Sequence, residues 1–282
     1  MKILITGGTG FIGYNISKTL TKNNQIYLIK RSSSKKKIPK KITRVINYKN
    51  VKDLDKKLKK LKADVVIHAA THYKKIHCFE DLENFSNSNI LFGNIILENL
   101  NKMGVKKFIN FSTVWEDFNA INENPFNLYS AYKNAFSKIV NFYKKNNKLI
   151  KFYDLMISDT FGNNDNRYKI INTLKKNYKN NKTTKIISKN LSINLLNIRD
   201  IEKAVSILIN NEIKPKRYLL KNSKNTKIKK LIDQFNKLNK KKIKIAWGSK
   251  KTLIQKINSY HQLTGWKPEQ SNISDMVEII KN

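Results

Sequence analysis

Short apolar runs alternate with longer amphipathic segments through the first half of the chain. Runs of this length, rich in Ile, Val, Leu and Phe, predict buried strands, and apolar residues that recur every three to four positions predict helices. The predicted strands are 1–5, 25–30, 44–48, 63–70 and 105–111, and the clearest helices are 51–62 and 84–103. Gly104 follows the second helix, as a C-cap glycine should. Such an alternation of strands and helices predicts an α/β fold with a doubly wound parallel sheet.

The second half of the chain has a less regular pattern. Its predicted helices are 169–182, 227–238 and a terminal helix with Met276, Val277, Ile279 and Ile280 on its apolar face, and its short strands are 186–187, 193–198, 217–220 and 243–247. We therefore expect a main domain at 1–162 and a smaller C-terminal α/β lobe at 163–282. The chain is expected to cross back to the main domain near 193–205.

A glycine-rich turn, Thr6-Gly7-Gly8-Thr9-Gly10-Phe11-Ile12-Gly13, joins the first predicted strand to a helix. A phosphate can approach a helix N-terminus only where no Cβ is in the way, and the free N–H groups and the helix dipole then bind it. The turn therefore predicts a dinucleotide-binding Rossmann domain. Its cofactor contacts are expected from Gly7, Gly10, Phe11, Ile12 and Gly13, and from the small residues Ala69 and Ala70 that end the fourth strand. A tight turn without a ligand is the alternative.

Arg31 ends the second predicted strand, where an acidic residue usually holds the ribose 2′-hydroxyl of NAD. A guanidinium, with neighbouring hydroxyls such as that of Ser32, can instead bind a 2′-phosphate. We therefore predict NADP(H) as the cofactor, with NAD(H) as the alternative.

The formal net charge of +37 is unusual for a globular protein. Only five of the 57 basic residues are arginine, and lysine is scattered through every segment. A nucleic-acid surface would concentrate its charge and use arginine and exposed aromatic residues. We interpret the charge mainly as a compositional bias, and we expect no specific nucleic-acid partner.

Cysteine and histidine content argues against a disulfide and against a metal centre. Cys78 is the single cysteine, and the four histidines have no metal-ligand spacing. The first predicted strand runs straight into the glycine turn, so we expect no signal peptide. No apolar run approaches the ~20 residues that a membrane-spanning helix needs. The expectation is a cytoplasmic protein without membrane insertion.

Candidate catalytic groups follow the fifth predicted strand, where the carboxyl ends of the strands should form the site. Ser112 and Thr113 come directly after it, and Tyr129 and Lys133 open a later helix. A tyrosine and a lysine four residues apart share a helix face, and a nearby ammonium is expected to lower the pKa of the phenol. The tyrosine could then exchange a proton with a hydroxyl or a carbonyl.

Together, these motifs resemble those of the extended short-chain dehydrogenase/reductase family, also called the NAD-dependent epimerase/dehydratase family. The resemblance covers most of the chain and includes His68-Ala69-Ala70, Arg199-Asp200 and Leu263-Thr264-Gly265-Trp266-Lys267-Pro268. The runs 111–136 and 159–167 look most like CDP-abequose and CDP-paratose synthases. The resemblance implies NADPH-dependent reduction of a nucleotide-diphosphate 4-keto (deoxy)hexose for surface polysaccharide, and leaves room for a homodimer.

The resemblance also implies roles for individual residues. Thr113 is expected to orient the substrate oxygen, Tyr129 to donate the proton, and Lys133 to activate the tyrosine and contact the cofactor ribose. The residues expected to contact the substrate are Thr71, Ser112, Asn163, Arg167 and Arg199.

Other functions remain open from the sequence. A 4-epimerase would use the same groups, whereas a 4,6-dehydratase would place Asp-Glu after the threonine, where this chain has Val114-Trp115. A non-catalytic NADP-binding scaffold or sensor is the alternative from another class, and the intact Thr113, Tyr129 and Lys133 argue against it.

Overall fold

A computed structural model describes residues 1–251 and 253–282. The strands are β1 (Lys2–Thr6), β2 (Gln25–Arg31), β3 (Arg44–Tyr48), β4 (Val65–His68), β5 (Lys107–Thr113), β6 (Lys151–Ile157), β7 (Asp159–Phe161), β8 (Thr184–Ile186), β9 (Leu191–Ile193), β10 (Leu195–Asn197), β11 (Arg217–Leu220), β12 (Thr226–Lys227), β13 (Ile245–Trp247) and β14 (Leu253–Ile254). The helices are α1 (Phe11–Leu20), α2 (Val51–Lys59), α3 (Asp81–Ser86), α4 (Phe92–Met103), α5 (Leu128–Asn146), α6 (Ile170–Lys179), α7 (Ile198–Asn210), α8 (Ile228–Leu238) and α9 (Ile273–Lys281).

Seven strands form one parallel sheet in the order β3-β2-β1-β4-β5-β6-β11. Both faces of the sheet are covered, which explains the nearly continuous apolar runs of its strands. Ile3 and Ile5 of β1 pack in a core with α1 and α7, whereas Leu4 packs in the opposite core with α2, α4 and α5. The doubly wound parallel sheet predicted from the sequence is confirmed.

The element between β4 and β5 departs from the single helix expected at 84–103. It begins at Asp81, passes through a π-helical turn at Asn87–Leu91, and continues as α4 to Met103. Gly104 ends α4 with a φ of 73°, which confirms the predicted C-cap. A π-helical turn changes which side chains face the sheet, and such turns often occur at functional sites.

The chain returns to the main sheet over a longer stretch than 193–205. The single strand expected at 193–198 is wrong, because Ile193 ends β9, Leu195–Asn197 form β10, and Ile198 begins α7, whose N-terminus is capped by the side chain of Asn197. Residues 217–220 then form β11 at the edge of the main sheet beside β6. The apolar face of α7 packs on the same core as α1, which makes this segment part of the main sheet structure.

A second lobe is built from short strand pairs and three helices. Its core joins α6, α8 and α9 and includes Phe161, Leu174, Phe235 and Met276. The predicted terminal helix corresponds to α9, and its residues Met276, Val277 and Ile280 are buried in this core. In the part of the chain that the structure describes, no helix is both long enough and apolar enough to cross a bilayer.

Asp200 ties the start of α7 to the late Leu263–Pro268 motif. Asp200 is 1% exposed, and its carboxylate accepts hydrogen bonds from the backbone N–H groups of Glu269 (2.8 Å) and Gln270 (3.1 Å) and from the Ser271 hydroxyl. Its carbonyl oxygen accepts from Trp266 Nε1 at 2.7 Å. The two late motifs of the sequence therefore form one structural clasp.

We expect Asp200→Ala to lower the free energy of unfolding by about 3 kcal/mol, because it leaves buried donors without an acceptor. Chemical denaturation measures this loss. Asp233→Ala is the control, since Asp233 forms an exposed pair with Lys229 and should change stability by less than about 1 kcal/mol. Equal stability of the two variants would contradict a stabilising role for Asp200.

Candidate active site

The glycine turn lies against the end of β4. Gly7 has a φ of 69°, and a Cβ on it would lie 2.6 Å from the carbonyl carbon and oxygen of Ala69. A Cβ on Gly13 would lie 2.4 Å from the Gly7 carbonyl oxygen. Side chains at Gly7 and Gly13 are therefore excluded by backbone atoms, and the turn keeps β1, α1 and β4 in close contact.

The N-terminus of α1 faces an open cleft. Gly10 is the N-cap residue, and among the described residues no side chain caps this end of the helix. Gly7, Gly10, Phe11 and Ile12 line the cleft, whereas Gly13 is buried behind them. Exposed N–H groups and a helix dipole fit a diphosphate, so these residues suit the cofactor that the sequence predicts. Gly13 serves close packing.

The cleft has a volume of about 890 Å³ and crosses the carboxyl ends of the strands. Its position follows from the strand order, which reverses between β1 and β4 and leaves a crevice there. Ala69, Ala70 and Thr71 line the cleft directly after β4. A bound dinucleotide would extend from β2 to the end of β5.

Arg31 lies at the β2 end of this cleft and is exposed. Lys30, Ser34 and Lys36 also line this end. Ser32 does not line the cleft; its N–H donates to the carbonyl oxygen of Tyr48 at 2.8 Å. Among the lining residues near Arg31, Ser34 carries the hydroxyl.

Asn89 holds the loop that follows β4, and no pattern in the sequence indicated it. Its Oδ1 accepts from the His72 backbone N–H at 2.6 Å and from the Thr71 hydroxyl at 3.1 Å. Asn89 lies in the π-helical turn and is 3% exposed. The irregular helix thus positions Thr71, which explains why a regular 3.6-residue pattern did not indicate this contact.

Thr113 is the last residue of β5 and lines the cleft. Its Oγ1 accepts from the Trp115 backbone N–H at 3.4 Å. Ser112 does not line the cleft, contrary to its expected contact with the substrate. Successive side chains of a strand point to opposite faces, and Ser112 is buried with no hydrogen-bond partner for its hydroxyl among the described residues.

Tyr129 and Lys133 occupy the first turns of α5. Asn127 caps this helix by accepting from the Ser130 N–H, and Tyr129 then faces the cleft. Lys133 is 5% exposed, and desolvation lowers its pKa. Burial raises the pKa of Tyr129 to about 12, and Lys169 opposes this shift most strongly. Because burial outweighs the nearby charges, the pKa of Tyr129 lies above its usual value, in the opposite direction to the shift that the sequence predicts from Lys133.

Lys169 closes the other side of the site and was not identified from the sequence. Its Nζ lies 2.7 Å from Asp159 Oδ1 and 4.9 Å from the ring centre of Tyr73. The Tyr73 ring in turn meets the ring of Tyr129 edge-on at 4.9 Å. Tyr73 follows β4 and Asp159 begins β7, so both could have been found as polar groups at the carboxyl ends of strands.

Arg167 lines the cleft but is held by its own neighbours. Its guanidinium lies 2.8 Å from Asp165 Oδ1 and from Thr160 Oγ1, and 4.2 Å from the ring centre of Phe11. Arg167 thereby joins the loop after β7 to the start of α1. The structure does not bring Asn163 or Arg199 to this cleft, since both are exposed outside its lining.

The cleft offers no metal-binding geometry. Residues 1–251 and 253–282 contain no group of three or more histidine, cysteine, aspartate or glutamate side chains that could hold a metal ion. The polar groups of the cleft include hydroxyls, phenols and cations, which suit proton transfer and the binding of anionic groups, and the carboxylate of Asp159 pairs with Lys169.

Known proteins resemble this chain in both sequence and fold. The model of the NAD dependent epimerase/dehydratase family matches residues 3–220, which end with β11. CDP-abequose synthase of Yersinia pseudotuberculosis is 26% identical over 214 residues, which are 75% of this chain and 74% of the relative. dTDP-D-glucose 4,6-dehydratase of Dictyostelium discoideum is 33% identical over 179 residues, which are 52% of this chain and 41% of the relative.

Among solved structures, a UDP-glucose 4-epimerase of Thermus thermophilus in complex with NAD has a TM-score of 0.82 to this chain. The superposition covers 100% of this chain and 99% of the epimerase, at 17% sequence identity. Similarity at this identity shows the shared fold, including the second lobe.

We expect Arg31→Asp to weaken NADPH binding at least about tenfold and to leave NADH binding unchanged or stronger, because a carboxylate repels a 2′-phosphate. Fluorescence titration of both cofactors measures the change. Arg199→Asp alters charge equally at an exposed site outside the cleft and serves as the control. Equal affinity for NADPH and NADH in the unmodified protein would overturn the predicted preference.

Proposed function

Because the chain belongs to the NAD dependent epimerase/dehydratase family, we propose that it is an NADPH-dependent reductase of a nucleotide-diphosphate 4-keto (deoxy)hexose. The observation that carries this proposal is that the expected cofactor-binding residues and the expected catalytic residues line the same cleft. The free end of α1 and Arg31 lie on the cofactor side, and Thr113 and Tyr129 lie where β5 ends and α5 begins, on the substrate side. Surface-polysaccharide biosynthesis is the expected context.

The second lobe supplies the substrate side in this proposal. Arg167 and Lys169 line the cleft from the segment after β7, and Lys74 and Lys75 line it from the loop after β4. Cations in such a cleft attract the diphosphate of a nucleotide sugar. The likeness to CDP-abequose synthase supports a nucleotide-linked sugar as the substrate.

The reaction adds a hydride and a proton to a carbonyl group. NADPH, when bound, supplies the hydride to the keto carbon. Tyr129 donates its phenolic proton to the carbonyl oxygen, and Thr113 orients that oxygen through its hydroxyl. A pKa near 12 keeps Tyr129 in the acid form at neutral pH, so that it can donate a proton. Lys169 stabilises the phenolate that remains.

The two enzymatic alternatives differ in what they require of the site. A 4-epimerase would use the same Thr113 and Tyr129, and the structural likeness to a UDP-glucose 4-epimerase bears on the fold alone. A 4,6-dehydratase needs a further acid and base. Glu116 is the nearest carboxylate after Thr113 in sequence, but it is 1% exposed and lies 2.8 Å from Arg217 Nη2. The burial and pairing of Glu116 argue against a 4,6-dehydratase.

We expect Tyr129→Phe to lower kcat for NADPH-dependent keto-sugar reduction at least about a hundredfold, because the proton donor is lost. Cofactor affinity should stay within about twofold, since the phenol donates to the substrate oxygen. Stopped-flow absorbance at the nicotinamide band measures the rate, with CDP-, dTDP-, GDP- and UDP-linked 4-keto sugars as substrates.

Tyr143→Phe is the matched control, because Tyr143 lies on the same helix and bonds to Glu98 at the surface. It should keep the full rate. Full activity of Tyr129→Phe would reject the proposed role of this residue. Release of epimerised sugar without net consumption of NADPH would favour the 4-epimerase.

A further inference from the structure

A partly buried cluster of charges lies next to the catalytic threonine. Arg217 of β11 donates from Nη2 to Glu116 Oε2 at 2.8 Å and from Nε to Asp154 Oδ2 at 2.6 Å. Asp154 Oδ1 accepts from Asn110 Nδ2 at 2.9 Å. The cluster therefore joins β5, β6, β11 and the 3₁₀ segment Val114–Ala120 that follows β5.

Glu116 connects this cluster directly to Thr113. Its Oε1 accepts from the Thr113 backbone N–H at 3.1 Å, while the Thr113 hydroxyl accepts from Trp115 N–H. These reciprocal bonds form a capping box at the end of β5. One oxygen of Glu116 thus fixes Thr113, and the other is held by a side chain 101 residues away in the sequence.

Helix α5, which carries Lys133, packs against β5, β6 and the 3₁₀ segment that carry members of this cluster. Two carboxylates and one guanidinium leave one negative charge, and Lys133 is a buried cation with no carboxylate within 4.0 Å among the described residues. The charges of Glu116 and Asp154 favour the protonated form of Lys133, and that of Arg217 opposes it. His68 of β4 is also close but stays neutral, because burial lowers its pKa to about 3.

Glu116 is ionised in the pH range in which Lys133 loses its proton. Burial raises the pKa of Glu116 to about 7, and the charge of Arg217 opposes this shift most strongly. A carboxyl group with such a pKa is deprotonated at alkaline pH, where a lysine releases its proton. The negative charge of Glu116 is therefore present at the alkaline pH at which Lys133 would lose its proton.

We propose that Glu116 is a positioning residue that holds Thr113 in place and, with Asp154, supplies the counter-charge of Lys133, while Arg217 holds both carboxylates. This inference rests on the proposed function, in which Thr113 orients the substrate oxygen, and on the expected contact of Lys133 with the cofactor ribose. The inference assigns a functional role to Arg217. It also explains why this position has an arginine in a chain whose basic residues are mostly lysine. A guanidinium can bind two carboxylates at once, whereas an ammonium is a point charge.

A purely structural role makes different predictions from a positioning role. If the cluster only stabilises the fold, its loss lowers stability without moving the pH profile of the reaction. If it supplies the counter-charge, removal of one carboxylate lowers the pKa of Lys133. Lys133 then loses its proton at lower pH, and the alkaline limb of the kcat/KM profile moves to lower pH.

The test is the pH profile of Glu116→Gln with NADPH and the keto sugar that the unmodified protein reduces. We expect the alkaline limb to move down by about one pH unit, while Thr113 stays held because an amide oxygen still accepts from its backbone N–H. Arg217→Met removes a positive charge from the same cluster, so its alkaline limb must not move down. Should Glu116→Gln fail to fold, Asp154→Asn carries the same expected shift.

Glu123→Gln is the matched control, since Glu123 lies just beyond the same segment and pairs with Lys138 at the surface. Its profile should match that of the unmodified protein. An unshifted alkaline limb in folded Glu116→Gln would overturn the counter-charge role.

Hydrogen exchange of the Thr113 amide separates this inference from the proposed function, because it needs neither substrate nor cofactor. Glu116→Ala should accelerate this exchange at least about tenfold by removing the acceptor. Accelerated exchange in a protein that reduces no keto sugar would reject the proposed function and keep the positioning of Thr113. Unchanged exchange alongside normal reduction by the unmodified protein would reject the positioning.

Discussion

The close approach of the glycine turn to the end of β4 is the constraint on which the cleft depends. A Cβ at Gly7 would meet the Ala69 carbonyl at 2.6 Å, so only a backbone without a side chain lets β1, α1 and β4 come together. This contact lies where the strand order reverses, and it turns the end of α1 towards the crevice. Arg31 and Tyr129 line the same cleft as this turn.

Burial changes the pKa of both Tyr129 and Lys133, and different charged residues oppose its effect on each. Tyr129 is kept protonated because burial raises its pKa to about 12, and the cation that offsets burial most comes from Lys169. Lys133 is itself desolvated and is balanced by carboxylates on β6 and on the segment after β5. Catalytic groups in this arrangement are tuned by residues from distant parts of the chain.

Two long-range ties hold the lobes and the sheet edge in register. Asp200 binds the backbone of Glu269 and Gln270, so the end of the chain is fixed to the start of α7. Arg217 joins β11 to Glu116 and Asp154. The first tie explains the late Trp266 motif as structure, and the second links the outermost strand of the sheet to Thr113.

Local patterns in the chain were enough to predict the doubly wound sheet, the glycine turn and the helix that presents Tyr129, because periodicity and the steric freedom of glycine depend on neighbouring residues. The spacing of Arg31 after the glycine turn, and the family resemblance for Arg167, indicated these two as site residues, and both line the cleft. Packing between distant segments was needed to show that Ser112 turns away from the cleft, that Arg199 lies outside it, that Lys169 lines it, and that Asn89 holds the loop beside it. Those outcomes depend on the extension of β5 to Thr113, on a π-helical turn and on contacts across the fold, none of which the local sequence pattern indicated.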